Sequence, residues 1–220
     1  MKTDREAPAT VREATLGEVA RAARVAAEAF QGEAFTNWLF NLSGERVRVH
    51  LARTFARTVA GKWKAGDSLL VAVAGGEIVG AALVGVPGQP ARSPRWRRVL
   101  GGIPHLVRAV SLARWIRWRR VLSTLKAMQP PKDLPKPHAT LVGLAVAPAH
   151  QGTGIARLLL DSVHARVETE ADLAGTYLFT GDARSRDIYA RFGYRPVRES
   201  TGGAGFTVYH MFRACEGRAA

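Results

Sequence analysis

The stretch that most constrains this chain runs from Ala139 to Leu160. Residues Ala139–Ala147 are nearly all apolar, which predicts a β-strand buried on both faces. That strand ends at Pro148, and the chain then turns through Gln151-Gly-Thr-Gly-Ile-Ala156 into a helix expected from about Gly154 to Thr169. A buried strand feeding a helix through a glycine-rich turn requires an α/β arrangement with the helix packed on a sheet. It also creates a chemical opportunity. The first backbone N–H groups of a helix have no intrahelical partner, and the helix dipole adds positive potential there, so the turn suits a phosphate. Gly152 and Gly154 let the backbone approach a ligand closely, and Ala156 is small enough to keep that approach open.

Two familiar phosphate readings fail. A Walker loop needs four residues between its glycines followed by Gly-Lys-Ser/Thr, which this turn lacks. A dinucleotide fingerprint needs a third glycine where Arg157 stands. Elsewhere Gly66-Asp67-Ser68-Leu69 spells a lipase-like motif, but no late Asp-x-x-His accompanies it, and it reads as a turn entering a strand.

The remaining elements follow from periodicity and turn signals. Thr10–Glu13 is a short strand, and Thr15 caps a helix through Phe30 with Leu16, Val19, Ala20, Ala23 and Ala27 at helical spacing. A second helix starts after Ser43 and runs to about Trp63, with Val47, Leu51, Phe55 and Val59 as its buried stripe. Ser68–Ala74 and Glu77–Val86 flank Gly75-Gly76, a two-residue hairpin signal. After the glycine turn come a strand at Thr176–Thr180, a helix at Ala183–Phe192, and two closing strands at Arg195–Glu199 and Gly205–Arg213. The expected class is α/β (α+β), a mixed central sheet flanked by helices. One domain is expected over 10–214, between a disordered start at 1–9 and a flexible end at 215–220.

Charge isolates one segment. The chain has 32 Lys plus Arg against 18 Asp plus Glu, for a net charge of +14. Residues 87–137 alone hold twelve basic residues and one acid, Asp133, together with Trp96, Trp115 and Trp118. This predicts a basic insertion between the third and fourth strands of an otherwise near-neutral domain. Within it Ile103–Lys126 reads as a long helix, followed by an extended linker forced by Pro130, Pro131, Pro135 and Pro137. Such a segment suits a lid over a substrate site, a packing helix, or a surface for nucleic acid or anionic lipid. A single cysteine, Cys215, allows no intramolecular disulfide, and the histidines show no zinc spacing. No membrane-length apolar run and no signal-peptide core are present, so a cytoplasmic protein without a metal is expected.

The motifs together resemble a known family. Gln151, Gly154 and Ala156 meet the Q/R-x-x-G-x-G/A acetyl-CoA signature of the GCN5-related N-acetyltransferases (GNAT). Ile188-Tyr189-Ala-Arg-Phe-Gly193-Tyr194 resembles the later L-Y-x-x-x-G-F element of that family. Ala29-Phe30, Trp38-Leu39-Phe40 and His138 look more narrowly like the branch containing puromycin N-acetyltransferase. The resemblance covers roughly residues 10–86 and 138–213.

It implies a cofactor between splayed parallel strands at 139–147 and 176–180. Leu144, Ala145 and Val146 would pair with the pantetheine arm, and the amides of Gln151, Gly152, Thr153, Gly154, Ile155 and Ala156 would hold the pyrophosphate. An N–H near Val146 would serve the oxyanion, Tyr189 would be the general acid, and Ser185 stands where relatives often carry a cofactor-side Asn. Phe179 stands where many relatives have Glu, which leaves the general base open among Glu33, His138 and Asp182, each of which also has a surface or capping reading. The implied activity is acetyl transfer from acetyl-CoA to a primary amine, with a small-molecule acceptor favoured over a protein amine. A weakly catalytic acyl-CoA-binding module on an anionic surface is the reading from another class. The assembly expected is a monomer or homodimer.

Overall fold

The structure is a computed structural model that describes residues 8–31, 45–92, 126–202 and 206–216. Its elements in chain order are β1 (Thr10–Glu13), a 3-10 turn (Leu16–Glu18), α1 (Val19–Gln31), α2 (Glu45–Lys64), β2 (Ser68–Ala74), β3 (Glu77–Gly85), β4 (Ala139–Val146), α3 (Ile155–Thr169), β5 (Gly175–Thr180), α4 (Ala183–Arg191), β6 (Arg195–Gly202) and β7 (Phe206–Ala214). The seven strands form one mixed sheet in the order β1-β2-β3-β4-β5-β7-β6. Only β4 and β5 run parallel; the other neighbours are antiparallel.

Alternation along the strands sends side chains to two apolar layers. Leu69 and Val71 of β2, with Ala81 and Leu83 of β3, face α1 and α2 and pack with Val19, Ala22, Ala23 and Val59. Leu70, Ala72, Ala82 and Val84 face the opposite side and pack with Ile155, Leu159, Leu160, Val163 and Val167 of α3. Of the expected α2 stripe, Val59 is buried as predicted, and the side chains of Val47, Leu51 and Phe55 lie outside the described set. The hairpin signal is also realised: Gly75 and Gly76 both take positive φ, +56° and +81°, as a tight two-residue turn between twisted strands requires. Gly80 has a different task. A Cβ there would lie 2.8 Å from Ile155 Cγ2 and 3.0 Å from Leu159 Cδ1, so its missing side chain is what lets α3 seat on β3.

Two expectations change. β4 was expected to be buried on both faces, yet Val142, Gly143 and Leu144 are only half-buried, because β5 leaves its side partway along. Flexibility is expected from 215 onward, but Cys215 is buried and its N–H donates to Ala174 O at 3.0 Å. Thr15 opens the first helical segment as expected. Its hydroxyl and N–H both donate to Glu18, at 2.8 and 2.9 Å, while Arg12 grips the same carboxylate through two nitrogens at 2.8 and 2.6 Å. These bonds, Arg12's first, hold the Glu18 carboxyl well below the usual range.

The helix expected over Ile103–Lys126 lies outside the described residues apart from Lys126, which is helical together with Ala127. The two roots of the insertion are nonetheless anchored. Arg92 donates to Trp63 O and Asp67 O at 2.9 and 2.8 Å, pairs with Glu13 at 2.8 Å, and stacks over the Trp63 ring. At the other root, His210 on β7 approaches Ala127 O through Nε2 at 2.9 Å. A carbonyl only accepts, so Nε2 carries the proton and Nδ1 accepts from the Tyr177 hydroxyl at 2.7 Å. Leu134 packs on Tyr177 and Phe212, which fastens the returning segment to the β5–β7 face. No helix among the described residues is long and apolar enough to cross a membrane.

Two outcomes follow. Gly80→Val should destabilise the fold by about 1–3 kcal/mol through overpacking against Ile155 and Leu159, read as a lower melting temperature. Buried His164 and His210 both titrate below the ordinary histidine value, chiefly through burial, with His164 lowered to about 4. The unfolded chain therefore takes up protons near pH 6.5 that the native state refuses. Stability should fall as pH drops from about 6.5 toward 4. Melting curves at pH 7 and pH 5 check this, and His164→Gln should flatten the difference.

Candidate functional site

The site begins where β4 and β5 part. Their registered pairs are Ala139 with Thr176 and Thr140 with Tyr177, after which β4 continues with β3 alone. The register with β3 shifts between Leu83 and Val84, which face Gly143 and Leu141, so Val142 is an extra bulged residue on β4. Beyond it, Ala147 N–H donates to Val79 O at 2.8 Å on the β3 side. Amides alternate in direction along a strand, so Leu144 and Val146 turn theirs away from β3, toward the side that β5 has left. Ala145 directs its own amide to β3. Of the three residues expected to pair with a ligand arm, two therefore offer backbone groups to the gap.

The glycine turn closes one end of this gap. Gly154 caps α3 with φ +90°, and Gly152 has φ +81°. A Cβ on either would meet nothing within 4 Å. The backbone conformation and the open surface in front of it therefore account for these glycines, not internal packing. Gln151, Gly152, Thr153 and Gly154 are exposed, while Ile155 is buried in the core and Ala156 packs against it. The turn is held from within: Gln151 Nε2 donates to Val146 O at 3.3 Å and Thr153 Oγ1 to His150 O at 2.6 Å. The first helical bond seen is Leu158 N–H to Gly154 O, so the earlier amides of the first turn are available to an anion. Arg157, exposed in that turn, lies over the Phe192 ring at 5.8 Å.

Tyr189 lies on α4, half-buried against the α3-side core, with its ring edge-on to Tyr194 at 5.7 Å between centroids. Ser185 is on the same helix, and both its N–H and its hydroxyl donate to Asp182, at 2.9 and 2.8 Å. Burial pushes the Asp182 carboxyl up, but the Ser185 side-chain and backbone bonds and the Arg184 amide outweigh it and hold the group below its usual value. Asp182 is thus the N-cap of α4, and a poor proton acceptor. His138 precedes β4 at the other end from the glycine turn. Its Nδ1 meets Pro135 O at 2.7 Å, so that nitrogen donates, and its ring lies edge-on to Tyr177 and Phe212. Glu33 and Trp38-Leu39-Phe40 lie outside the described residues.

Sequence reasoning did not include Phe30 among the site residues. At the end of α1, its Cζ lies 3.9 Å from where a side chain on Gly143 would begin, so it walls β4 beside the bulge. Its place at the last turn of an amphipathic helix gave no sign of this, because the partner is a glycine far along the chain. The bulge at Val142 was equally hidden within an unbroken apolar run. Among the described residues no group of three His, Cys, Asp or Glu side chains is arranged to hold a metal.

Residues 134–214, which contain both the glycine turn and Tyr189, match the acetyltransferase (GNAT) domain family. No curated protein matches the sequence. Among solved structures, one described as histone acetyltransferase HPA2 and related acetyltransferase from Corynebacterium glutamicum is similar with TM-score 0.65 and 22% identity, over 94% of this chain and 96% of that one. A GNAT family acetyltransferase from Brucella melitensis in complex with acetyl-CoA is similar with TM-score 0.52 and 16% identity, over 97% and 92%. The ribosomal-protein-S18-alanine N-acetyltransferase from Escherichia coli gives 0.53 and 12%, over 94% of each chain. The sheet, the parted parallel strands and the family match over residues 134–214 agree: the fold is the GNAT fold.

Proposed function

We propose that the protein is an N-acetyltransferase that moves an acetyl group from acetyl-CoA to the primary amine of a small molecule, within a ternary complex. The observation that carries the reading is the parting of β4 from β5 after Thr140–Tyr177, which leaves one side of β4 open along the stretch that leads to the Gly152–Gly154 turn. The residues present fit such a cofactor. The turn offers unpaired amides and open space for a pyrophosphate, and Leu144 and Val146 offer strand-like backbone groups to a pantetheine amide arm. When bound, acetyl-CoA supplies an activated thioester.

The chain's own residues do the rest. The Val146 N–H is directed to the gap, where it meets the thioester oxygen as that oxygen gains charge. Tyr189 gives its phenolic proton to the leaving thiolate; a phenol near 10 can do so when held close, since the thiol lies near 8.5. The attacking amine must shed a proton. Asp182 is committed to capping α4, and His138 is bonded to Pro135 O at the foot of β4. Glu33 and His138 remain our candidate bases; the His138 bond uses the Nδ1 proton and leaves Nε2 to accept one.

The small-molecule preference, and detoxification as a role, rest on the likeness of Ala29-Phe30, Trp38-Leu39-Phe40 and His138 to the puromycin N-acetyltransferase branch. A cytoplasmic setting fits a reaction that draws on acetyl-CoA. The basic insertion is read as a wall or lid on the acceptor side, since its returning root fastens to the β5–β7 face at Ala127, beside the neighbours of Phe179.

Calorimetric titration tests the cofactor site. Wild-type protein should bind acetyl-CoA in the micromolar range, and Gly154→Asp, which strains the turn at φ +90° and places a carboxylate before the phosphates, should weaken binding at least tenfold while the protein stays folded, with a somewhat lowered melting temperature. Equal affinity in the variant would overturn the assignment. For the chemistry, thiol release is followed with puromycin, other amino-nucleosides and small aliphatic amines. Tyr189→Phe should lower kcat by about a hundredfold while leaving acetyl-CoA affinity within about twofold. A protein amine acetylated in preference to every member of the panel would favour the protein-acetylating alternative.

A further inference from the structure

The space between α3 and α4 holds a buried polar pair that the reaction described above does not use. His164 projects from α3 and is 7% exposed; Tyr194, just before β6, is 1% exposed. His164 Nε2 and the Tyr194 hydroxyl are hydrogen-bonded at 3.1 Å, with their ring centroids 5.5 Å apart. On its other side the Tyr194 ring meets Tyr189 edge-on at 5.7 Å. Tyr194 also has its phenol held above the ordinary value, first by burial and next by the neighbouring Tyr189, so the two phenols lie within electrostatic reach.

Burying two polar groups in an apolar layer costs stability unless they satisfy each other, and leucine and phenylalanine would fill the same volume without that demand. Other groups near His164 are Asp161 and Glu168 on its own helix and Arg213 on β7, the last paired with Glu168 at 2.8 Å. Arg213 opposes protonation, and burial opposes it more, so the imidazole is neutral at physiological pH. The pair is therefore a fixed neutral hydrogen bond that sets where the Tyr194 ring stands. That ring is one of the surfaces against which Tyr189 rests.

We propose that His164 and Tyr194 form a positioning pair: the imidazole on α3 fixes the Tyr194 ring, and that ring fixes Tyr189 on α4. The inference rests on the reading of Tyr189 as general acid. A phenol that donates a proton to a departing thiolate has to be held to within a fraction of an ångström, because small displacements cost large factors in rate. The pair links the helix that carries the phosphate turn to the helix that carries the acid, so cofactor and acid share one frame.

The test is a double-mutant cycle on Tyr194 and Tyr189, read as kcat for thiol release with the best-used amine of the panel above and as acetyl-CoA affinity by calorimetry. Tyr194→Leu should lower kcat at least tenfold in the wild-type background, yet less than twofold in the Tyr189→Phe background, where no acid remains to be placed. Acetyl-CoA affinity should stay within about threefold throughout. His164→Leu should reproduce the loss, and His164→Gln, which retains a hydrogen-bonding side chain, should restore most of the rate. Should Tyr194→Leu fail to fold, Tyr194→Phe is read in its place, with a loss of several-fold that again vanishes beside Tyr189→Phe. The same fractional loss in both backgrounds would mark a merely structural role and overturn the pair alone. Full activity of Tyr189→Phe itself would overturn the general-acid reading, and the pair with it.

Discussion

Everything at the site depends on one failure of pairing. β4 and β5 register at Ala139–Thr176 and Thr140–Tyr177 and then separate, although both strands continue. A central strand with one side unpaired leaves backbone groups without partners, an arrangement that costs free energy unless water or a ligand satisfies them. The bulge at Val142 and the half-buried stretch Val142–Leu144 are consequences of the same separation. A ligand with an extended amide-bearing arm would complete the sheet, and the phosphate turn at the start of α3 stands where the charged end of that arm would reach. The acyl-CoA proposed here matches the shape of the gap and the phosphate-suited turn at its end.

Holding such a gap open demands rigidity on both sides of it. On one side α3 is driven close to β3 by the absence of a side chain at Gly80, which fixes the glycine turn relative to β4. On the other, β5 is locked into antiparallel pairing with β7 along its whole length, Gly175 to Thr180. The returning root of the insertion covers that half through the Tyr177–His210–Ala127 chain of hydrogen bonds, with Tyr177 pushed up to about 12 by burial. Arg92 secures the departing root among Glu13, Trp63 and Asp67. The basic segment is thus attached by buried or multiply bonded contacts at both ends rather than by a loose linker.

Much of this was legible in the residues. β-rich composition and the Gly75-Gly76 signal located β2 and β3 to within a residue, and the strand–turn–helix at 139–169 announced both the fold class and an anion site. The extent of β4's burial was not legible. An apolar run looks alike whether both neighbours stay paired or one departs, because the departure is decided by the tertiary path of β5. The Val142 bulge, the wall made by Phe30 over Gly143, and the His164–Tyr194 pair were hidden for the same reason: each is a contact between distant segments. Tyr189 was legible only through family likeness, since its local pattern alone fits an ordinary core tyrosine. Asp182 shows the reverse case, a carboxylate whose position before a helix announced the cap it proves to be.

The central claim is that the gap between β4 and β5 receives acetyl-CoA with its phosphates on the glycine turn. Backbone amide hydrogen exchange, measured residue by residue with and without CoA, tests it directly. The account predicts slowed exchange at Leu144, Val146 and the amides of 152–156, with Ala145 and Ala147, already turned to β3, little changed. Protection confined to other surfaces, or no protection at saturating CoA, would contradict it.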